Sequence, residues 1–464
     1  MKKLGIVITD GVGYRNFILS DFIAGANNNF DEVIIYSCLP KTVYDTLNVN
    51  CKIVELAIFE EEFYTWFFRK LKEIAHLQLH RSTNFGIRDN FNANRSKAKT
   101  PRGYATRFIY KITQLLHSER WILRFYELQQ RTLGSNEITK KYIQLLKDDK
   151  ITMLFFTHQR PPFISPLLLA AEKLKIKTGT FIFSWDNLAS KSRMVGNFDY
   201  YLVWSDLMKK ELLHFYTVVQ EYQIKVVGTP QFEPYVIDKY GYDKSHLINK
   251  FKINSNLPIV LFTCNDASSA NDPIYLELLA EFIKNGKLIK EVTVIVRTSP
   301  AEEPLRFKNT AEKYPFLVWN FPDWKISREG HQEAWTQRVP SVEDLNDLKS
   351  LLHHCDFNIN VLSTITLDAF LFDKPVINPV FGNNQNEFFN DQKFLEYAHL
   401  VKLVESNSTI IAKNEIEFLQ AINKVLSLQD DKKSEREKFL NLQISEPLRD
   451  TSKRIATTLY HLND

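Results

Sequence analysis

The sequence predicts an α/β protein made of two successive doubly wound parallel sheets, and three observations lead there. At 464 residues the chain is too long for one ordinary core, and two domains of roughly 200 residues each are the natural division. Short β-branched runs alternate with longer amphipathic stretches, the pattern of parallel strands joined by helices. The alternation ends at Gly228-Thr229-Pro230 and then restarts.

In the first half the predicted strands are 4–9, 32–37, 153–157, 178–183, 200–204 and 225–227. Several are apolar on both faces, as strands covered by helices on both sides must be. Helices are expected over 166–174 and 207–218. Between the second and third strands lies an insertion, about 59–147, that reads as helical, for example over 60–79 and 104–133. Its middle, 82–102, is rich in Asn, Arg, Lys and Ser and is expected to be a mobile loop. In the second half the strands are 259–263, 293–297, 316–319, 357–361 and 375–377, with helices at 273–285, 342–353 and 367–372. The stretch 430–463 is charged and helical. The domains expected are therefore 1–232, 233–440, and a C-terminal helix in 441–464 that packs back on the N-terminal domain. Open α/β sheets bind ligands at the carboxyl ends of their strands, so the chemistry is to be sought there.

Composition narrows the function classes. Apolar residues make up 44% and charged residues 25%, with 34 Phe and 19 Tyr, which fits packed domains and not disorder. A formal charge of +4 does not mark a general polyanion binder, and no nucleic-acid partner is expected. The average hides an asymmetry: residues 69–120 hold twelve Lys or Arg against Glu73, Asp89 and Glu119. Such an excess can meet an anionic membrane surface or a phosphate-rich lipid carrier, and a solvated helical face is the plainer alternative. Cys38, Cys51, Cys264 and Cys355 are scattered, with no CxxC, which suits reduced thiols in a cytoplasmic protein and argues against zinc. The apolar run at the N-terminus is short and meets Asp10, so it reads as a strand and not a signal peptide. No segment approaches 18 uninterrupted apolar residues.

One block of the second half concentrates polar groups at a strand end. A strand led by Asp356 stops at Ser363-Thr364, whose hydroxyls are expected at the N-cap of the next helix, where free backbone N–H groups and the helix dipole suit a phosphate. Asp368 follows one turn on, where a carboxylate can accept from sugar or ribose hydroxyls, and Lys374-Pro375 turns into the next strand. In the first half, His158-Gln159-Arg160-Pro161-Pro162 ends one strand and Ser184-Trp185-Asp186-Asn187, running to Lys191, ends the next.

The Ser-Thr step, the acid four residues on and the Lys-Pro-Val-Ile return resemble the donor-binding helix of GT-B glycosyltransferases, and the layout also occurs in related bacterial polyol-phosphate and surface-carbohydrate transferases. The Ser-Trp-Asp-Asn loop, with a later strand ending in Val203-Trp204, is similar to a signature of bacterial surface-polysaccharide (capsule or O-antigen) glycosyltransferases. The resemblance implies a GT-B fold, two Rossmann-like domains facing a central cleft, and a nucleotide-sugar donor with a glycan or lipid-linked acceptor. It covers most of residues 1–430 as architecture, and only the two blocks are specific.

On that resemblance, His158 binds a phosphate or acts as a base, and Asp186 accepts a proton from the acceptor hydroxyl, with Trp185 and Asn187 beside it. The plainer alternatives are a backbone hydrogen bond for His158 and an Asx turn for Asp186 and Asn187. After the first strand, Gly11 and Gly13 let the turn approach a ligand; by resemblance Asp10 is the preferred base, with Arg15 and Asn16 as acceptor contacts. Asp10 as a helix cap is the even alternative. The spacing lacks the dinucleotide fingerprint, so no cofactor is expected.

In the second domain, Thr263 and Asn265 follow the first strand and can hydrogen-bond a diphosphate. Arg297-Thr298-Ser299-Pro300 stands where related transferases often carry Arg-Pro-His-Pro, so phosphate binding falls to Arg297 or Ser299; a salt bridge to Glu302 or Glu303 is the alternative for Arg297. Trp324 and Trp335 can stack a base, although core packing is commoner for Trp. With no DxD pair at a strand end, dipoles and cations are expected to stand in for a metal. The rival readings are a polyol-phosphate transferase using a cytidine-linked donor, a nucleotide-sugar epimerase (for which no acid–histidine cluster is evident in the expected places), and a non-catalytic glycan- or partner-binding module.

Overall fold

Two parallel sheets with reversed strand order organise the chain, and a computed structural model describes residues 1–47 and 49–463. The first unit comprises Met1–Gln231, Ser327–Gln337 and Gln443–Asp464. Of the expected C-terminal span 441–464, Asp464 lies outside the described residues. Its strands are β1 (Lys3–Ile8), β2 (Glu32–Ser37), β3 (Lys52–Glu55), β4 (Met153–Phe156), β5 (Lys177–Phe181), β6 (Tyr200–Val203) and β7 (Ile224–Val226), in the order β3-β2-β1-β4-β5-β6-β7. All neighbours pair in parallel. The order reverses between β1 and β4, which opens a crevice at the carboxyl ends of those two strands.

The second unit comprises Phe232–Ile326 and Arg338–Leu442. Its strands are β8 (Ile259–Thr263), β9 (Thr293–Arg297), β10 (Val318–Asn320), the small antiparallel pair β11 (Trp324–Ile326) and β12 (Arg338–Pro340), then β13 (Phe357–Ile359), β14 (Val376–Pro379) and β15 (Ile410–Ala412). The main sheet runs β10-β9-β8-β13-β14-β15 and reverses between β8 and β13. Apolar residues of both sheets, such as Ile6, Phe155, Phe262 and Ile359, are fully buried, as helices on both faces require.

Several sequence expectations change, and the short strands β11, β12 and β15 add to those foreseen. The edge strand β3 was not foreseen, because four half-exposed residues carry too little apolar pattern. The segment expected as a mobile loop over 82–102 contains helix Phe85–Ala93, capped by Asn84 Oδ1 accepting from the Ile87 N–H at 3.0 Å. Its polarity is absorbed locally: the Arg81 and Arg95 guanidinium groups lie over the Phe91 ring at 4.7 and 5.6 Å, a contact that suits arginine. The single helix expected over 104–133 is two, Pro101–Thr113 and Glu119–Gly134. The C-terminal helix Thr451–Leu462 packs within the first unit on helix Phe22–Asn29, with Arg454 Nε donating to the Val227 carbonyl at 3.0 Å. Among the described residues no helix is long and apolar enough to cross a membrane.

Helix Phe63–His80 buries His76 completely, and neither of its ring nitrogens has a hydrogen-bond partner. His80 lies 4.8 Å away and Tyr216 5.3 Å. Burial first, then the charge of Arg193, holds the His76 pKa well below the ordinary histidine value. The unfolded chain takes up a proton below about 6.5, so this contribution to stability is present above that pH and is lost as the pH falls. His76→Phe fills the same space without stranded nitrogens. We expect it to match or exceed the wild-type Tm at neutral pH, with an advantage that widens in melts down to pH 5; a constant gap would refute this account.

Candidate functional site

At the β1–β4 reversal the two strand ends deliver Asp10 and His158. Asp10 is fully buried and N-caps helix Gly11–Phe17, its Oδ1 accepting from the Gly13 N–H at 2.8 Å. Its Oδ2 accepts from Thr9 Oγ1 at 2.7 Å and from His158 Nδ1 at 3.0 Å. The helix cap and the hydrogen-bond partner of His158 are therefore the same residue. Gly13 is required for this seat: a Cβ there would come 2.7 Å from Thr157 Oγ1, the residue before His158. Burial alone would raise the Asp10 carboxyl, but the hydrogen bonds from His158, Gly13 and Thr9 outweigh it and hold the pKa below the usual carboxylate value.

His158 is 4% exposed and its ring stacks on Phe183 at 3.9 Å and 14°. Burial lowers its pKa below the usual histidine value, with Asp10 pulling the other way. The neutral ring then keeps its proton on Nδ1, facing Asp10, and its lone pair on Nε2. Nε2 is buried and has no hydrogen-bond partner. A carboxylate that fixes the tautomer of a histidine with an unengaged Nε2 is an arrangement for proton transfer.

The two sequence blocks of this unit meet. Gln159 Nε2 donates to Asn187 Oδ1 at 2.9 Å, and Gln159 Oε1 accepts from the Phe183 N–H at 3.2 Å. Asp186 stands at the N-cap position of the short helix Asn187–Ser190 without a side-chain cap; it accepts from Asn187 Nδ2 at 3.1 Å and pairs with Lys191 at 3.3 Å. It also acts electrostatically on His158. Trp185 and Asn187 are buried, so they shape the loop from inside. Arg15, partly exposed, donates to the Gln231 carbonyl at 3.1 Å, and Asn16 is buried on the same helix as Gly11 and Gly13.

One contributor was not legible in the sequence. Residues 327–337 follow β11 but belong to the first unit, where the turn Ala334–Gln337 packs on helix Gly11–Phe17. His331 meets the Phe163 ring at 5.2 Å, and Arg328 pairs with Glu55. Glu333, beside Pro162 and Phe163, has a carboxyl raised above the usual value by burial, with Arg69, Arg160, Glu73 and Asp10 as its charged neighbours. The sequence showed no acid–histidine cluster; the fold pairs Asp10 with His158 and leaves Asp186 and Glu333 within electrostatic influence of that pair.

In the second unit most of the expected donor contacts are engaged internally. Arg297 is 5% exposed, holds both Asp344 oxygens at 2.9 Å and donates to Asn320 Oδ1 at 2.5 Å. Neither Glu302 nor Glu303 is its partner: they pair with Arg306 and Arg338. Asp368 is buried and accepts from the Tyr235 hydroxyl at 2.5 Å. Helix Ile365–Phe370 has only six residues and no side-chain cap, so Ser363-Thr364 does not form the hydroxyl cap expected. The Ser363 N–H donates to Asn360 Oδ1 at 2.9 Å, while Ser363 and Thr364 stay partly exposed. Thr263 joins a buried amide ladder with Asn358 and Asn360. Asn265 donates from Nδ2 to the Val361 carbonyl at 2.7 Å, tying the β8 and β13 ends together. Ser299 Oγ accepts from the Ala301 N–H at 3.2 Å. Trp324 donates to Asp344 at 2.8 Å, whereas Trp335 is 43% exposed and lies in the first unit.

Arg306 and Asp272 were also missed. Arg306 donates to the carbonyls of Asn265 at 2.5 Å and Ser269 at 2.7 Å, fixing the loop after β8. Asp272 accepts from the Asn265 N–H and Ser269 Oγ, each at 2.7 Å, and burial raises its pKa to about 7. Their spacing from the strand end carries no short-range pattern. Among the described residues no three His, Cys, Asp or Glu side chains converge as a metal-binding group.

No protein-family model matches the chain, and no curated protein matches it in sequence. Solved structures do match in fold. S. aureus MnaA in its UDP co-structure aligns with a TM-score of 0.53 and 12% identity, covering 100% of this chain and 97% of that one. A glycosyltransferase from Rickettsia africae gives 0.52 and 12%, over 100% and 98%. A UDP-GlcNAc 2-epimerase from Neisseria meningitidis, bound to UDP-GlcNAc, gives 0.50 and 12%, over 99% and 100%. At such identities the likeness is one of fold, and with the two reversed sheets it establishes that this chain carries the GT-B fold found in nucleotide-sugar epimerases and glycosyltransferases.

Proposed function

We propose that the chain is a glycosyltransferase that moves a sugar from a nucleotide-sugar donor to a hydroxyl of a glycan or lipid-linked acceptor, in the assembly of a bacterial surface polysaccharide. The observation that carries this reading is the buried Asp10–His158 pair at the strand reversal, with Nε2 unengaged. His158 is the base and Asp10 the residue that positions it, because every Asp10 oxygen already accepts hydrogen bonds. In the reaction the acceptor O–H proton passes to His158 Nε2 as the oxygen bonds to the anomeric carbon. The bond from that carbon to the nucleotide diphosphate breaks, and the diphosphate leaves with the electron pair. Arg160, whose Nε lacks a partner, and Asp186 are the groups beside the base. In the second unit the partly exposed Ser363 and Thr364, with Asn265 and Ser299, are the proposed donor contacts, while Asp368 and Arg297 are buried against Tyr235 and Asp344.

A thermal-shift panel of UDP, GDP, CDP, CMP and their sugar conjugates tests the donor class. A ligand at about a hundred times its Kd stabilises by roughly 2.7 kcal/mol, so one nucleotide family is expected to raise the Tm by several degrees. Ser363→Ala/Thr364→Ala is expected to weaken that shift. A CDP or CMP response alone would favour the polyol-phosphate reading, and no response from the folded protein would favour a non-catalytic module.

A second reading, a nucleotide-sugar epimerase, draws on Glu333 as a second acid, buried and electrostatically influenced by Asp10. It is separated by incubating the responding nucleotide sugar without acceptor. Conversion to a sugar epimer, followed by NMR, would replace the transferase reading.

A further inference from the structure

The helical insertion of the first unit presents a helix with apolar side chains on its outer as well as its inner face. In Pro101–Thr113 the inward side chains are Thr106, Ile109, Tyr110 and Thr113, and the outward stripe is Tyr104, Phe108, Lys111 and, beyond the helix, Leu115. Tyr104, Phe108 and Leu115 are 59, 57 and 84% exposed. A soluble helix turns such residues inward, so large apolar side chains recurring outward at helical spacing mark a docking face. The face extends to the neighbouring helix: Arg102 donates to the Glu61 carbonyl at 3.4 Å and lies over Trp66 at 5.5 Å. That contact brings the start of Pro101–Thr113 beside the start of Phe63–His80, where Tyr64 is 68% exposed.

Along the segment that carries the stripe the charge has one sign, and the acids nearest to it, Glu60 to Glu62, lie at the start of Phe63–His80. Residues 90–118 contain Arg95, Lys97, Lys99, Arg102, Arg107 and Lys111 and no Asp or Glu. Other cations of the insertion are engaged within the first unit: Arg69 binds Glu61 and Glu73, and buried Lys72 donates to the Val195 carbonyl. Lys97, Lys99 and Lys111 stand in solvent. The geometry points to this face as a docking surface for an anionic lipid bilayer. Aromatic and leucine side chains enter the interfacial zone while lysines meet the headgroups. A second copy is disfavoured as the occupant, because a two-fold contact would set these cations against themselves.

The inference is independent of the donor and acceptor chemistry, and its test needs neither. Full-length protein is floated with vesicles of phosphatidylcholine alone or mixed with phosphatidylglycerol. Binding is expected only to the anionic vesicles and is expected to weaken with salt. Lys97→Gln/Lys99→Gln/Lys111→Gln is expected to reduce it about a hundredfold, at roughly one decade or less per charge. Tyr104→Ser/Phe108→Ser/Leu115→Ser is expected to abolish it with the Tm unchanged. Equal binding by both variants, or no binding by the wild type, overturns the inference. A dimer seen by light scattering and lost in the serine variant, without vesicle binding, assigns the face to self-association instead.

Discussion

His158→Ala is expected to lower sugar transfer by about a hundred- to ten-thousandfold, the range over which a positioned base contributes. The nucleotide-induced rise in Tm is expected to remain, because His158 belongs to the first unit and the proposed nucleotide contacts to the second. Asp10→Asn separates the two members of the pair. Asparagine still caps a helix well, so helix Gly11–Phe17 should persist. The Asp10 carboxylate raises the His158 pKa against burial, so its removal is expected to shift the acid limb of the kcat/KM profile to lower pH and to reduce kcat. A variant with full activity and an unmoved profile would leave Asp10 as a cap alone. If His158→Ala retains wild-type kcat, the base lies elsewhere and the proposed mechanism fails.

Arg297→Ala is expected to be the most destabilising single change in the second unit. It removes from Asp344 the Nη2 group that reaches both carboxylate oxygens, and from Asn320 the Nη1 donor, while leaving the Asp344 carboxylate 4% exposed. Breaking one side of a buried pair costs about 3–5 kcal/mol, a fall in Tm of roughly 10 °C for a unit of this size. Replacing both partners, as Arg297→Met/Asp344→Leu, is expected to cost less than the single change, since no unpaired charge stays buried. Had the guanidinium been a diphosphate clamp, Arg297→Ala would keep its Tm and lose the nucleotide response. Melting curves with and without nucleotide distinguish the two outcomes.

Much of the fold was legible because its signals are local. The runs that become β2, β8 and β9 were read at their observed bounds, since a strand covered on both faces must be apolar throughout. Strand β3 and helix Phe85–Ala93 were not read, because an edge strand and a polar, arginine-backed helix lack that pattern. For the site, Asp10 and His158 were singled out from their strand ends. Their pairing was not, since it depends on β1 and β4 becoming neighbours across 144 intervening positions. Glu333 was beyond reach for a stronger reason: its segment packs in a unit that its position in the sequence does not suggest.

By itself the sequence determined the alternation of strands and helices, the break near Gly228, the polar residues at strand ends and the acid-free basic stretch, because periodicity, turn chemistry and charge are properties of neighbours along the chain. Only the tertiary structure decided that Asp10 orients His158, that Arg297 and Asp368 are committed to Asp344 and Tyr235, and that Tyr104, Phe108 and Leu115 point outward. A polar side chain becomes a base, a brace or a ligand contact according to which partner reaches it first when water is excluded, and those partners come from distant parts of the chain.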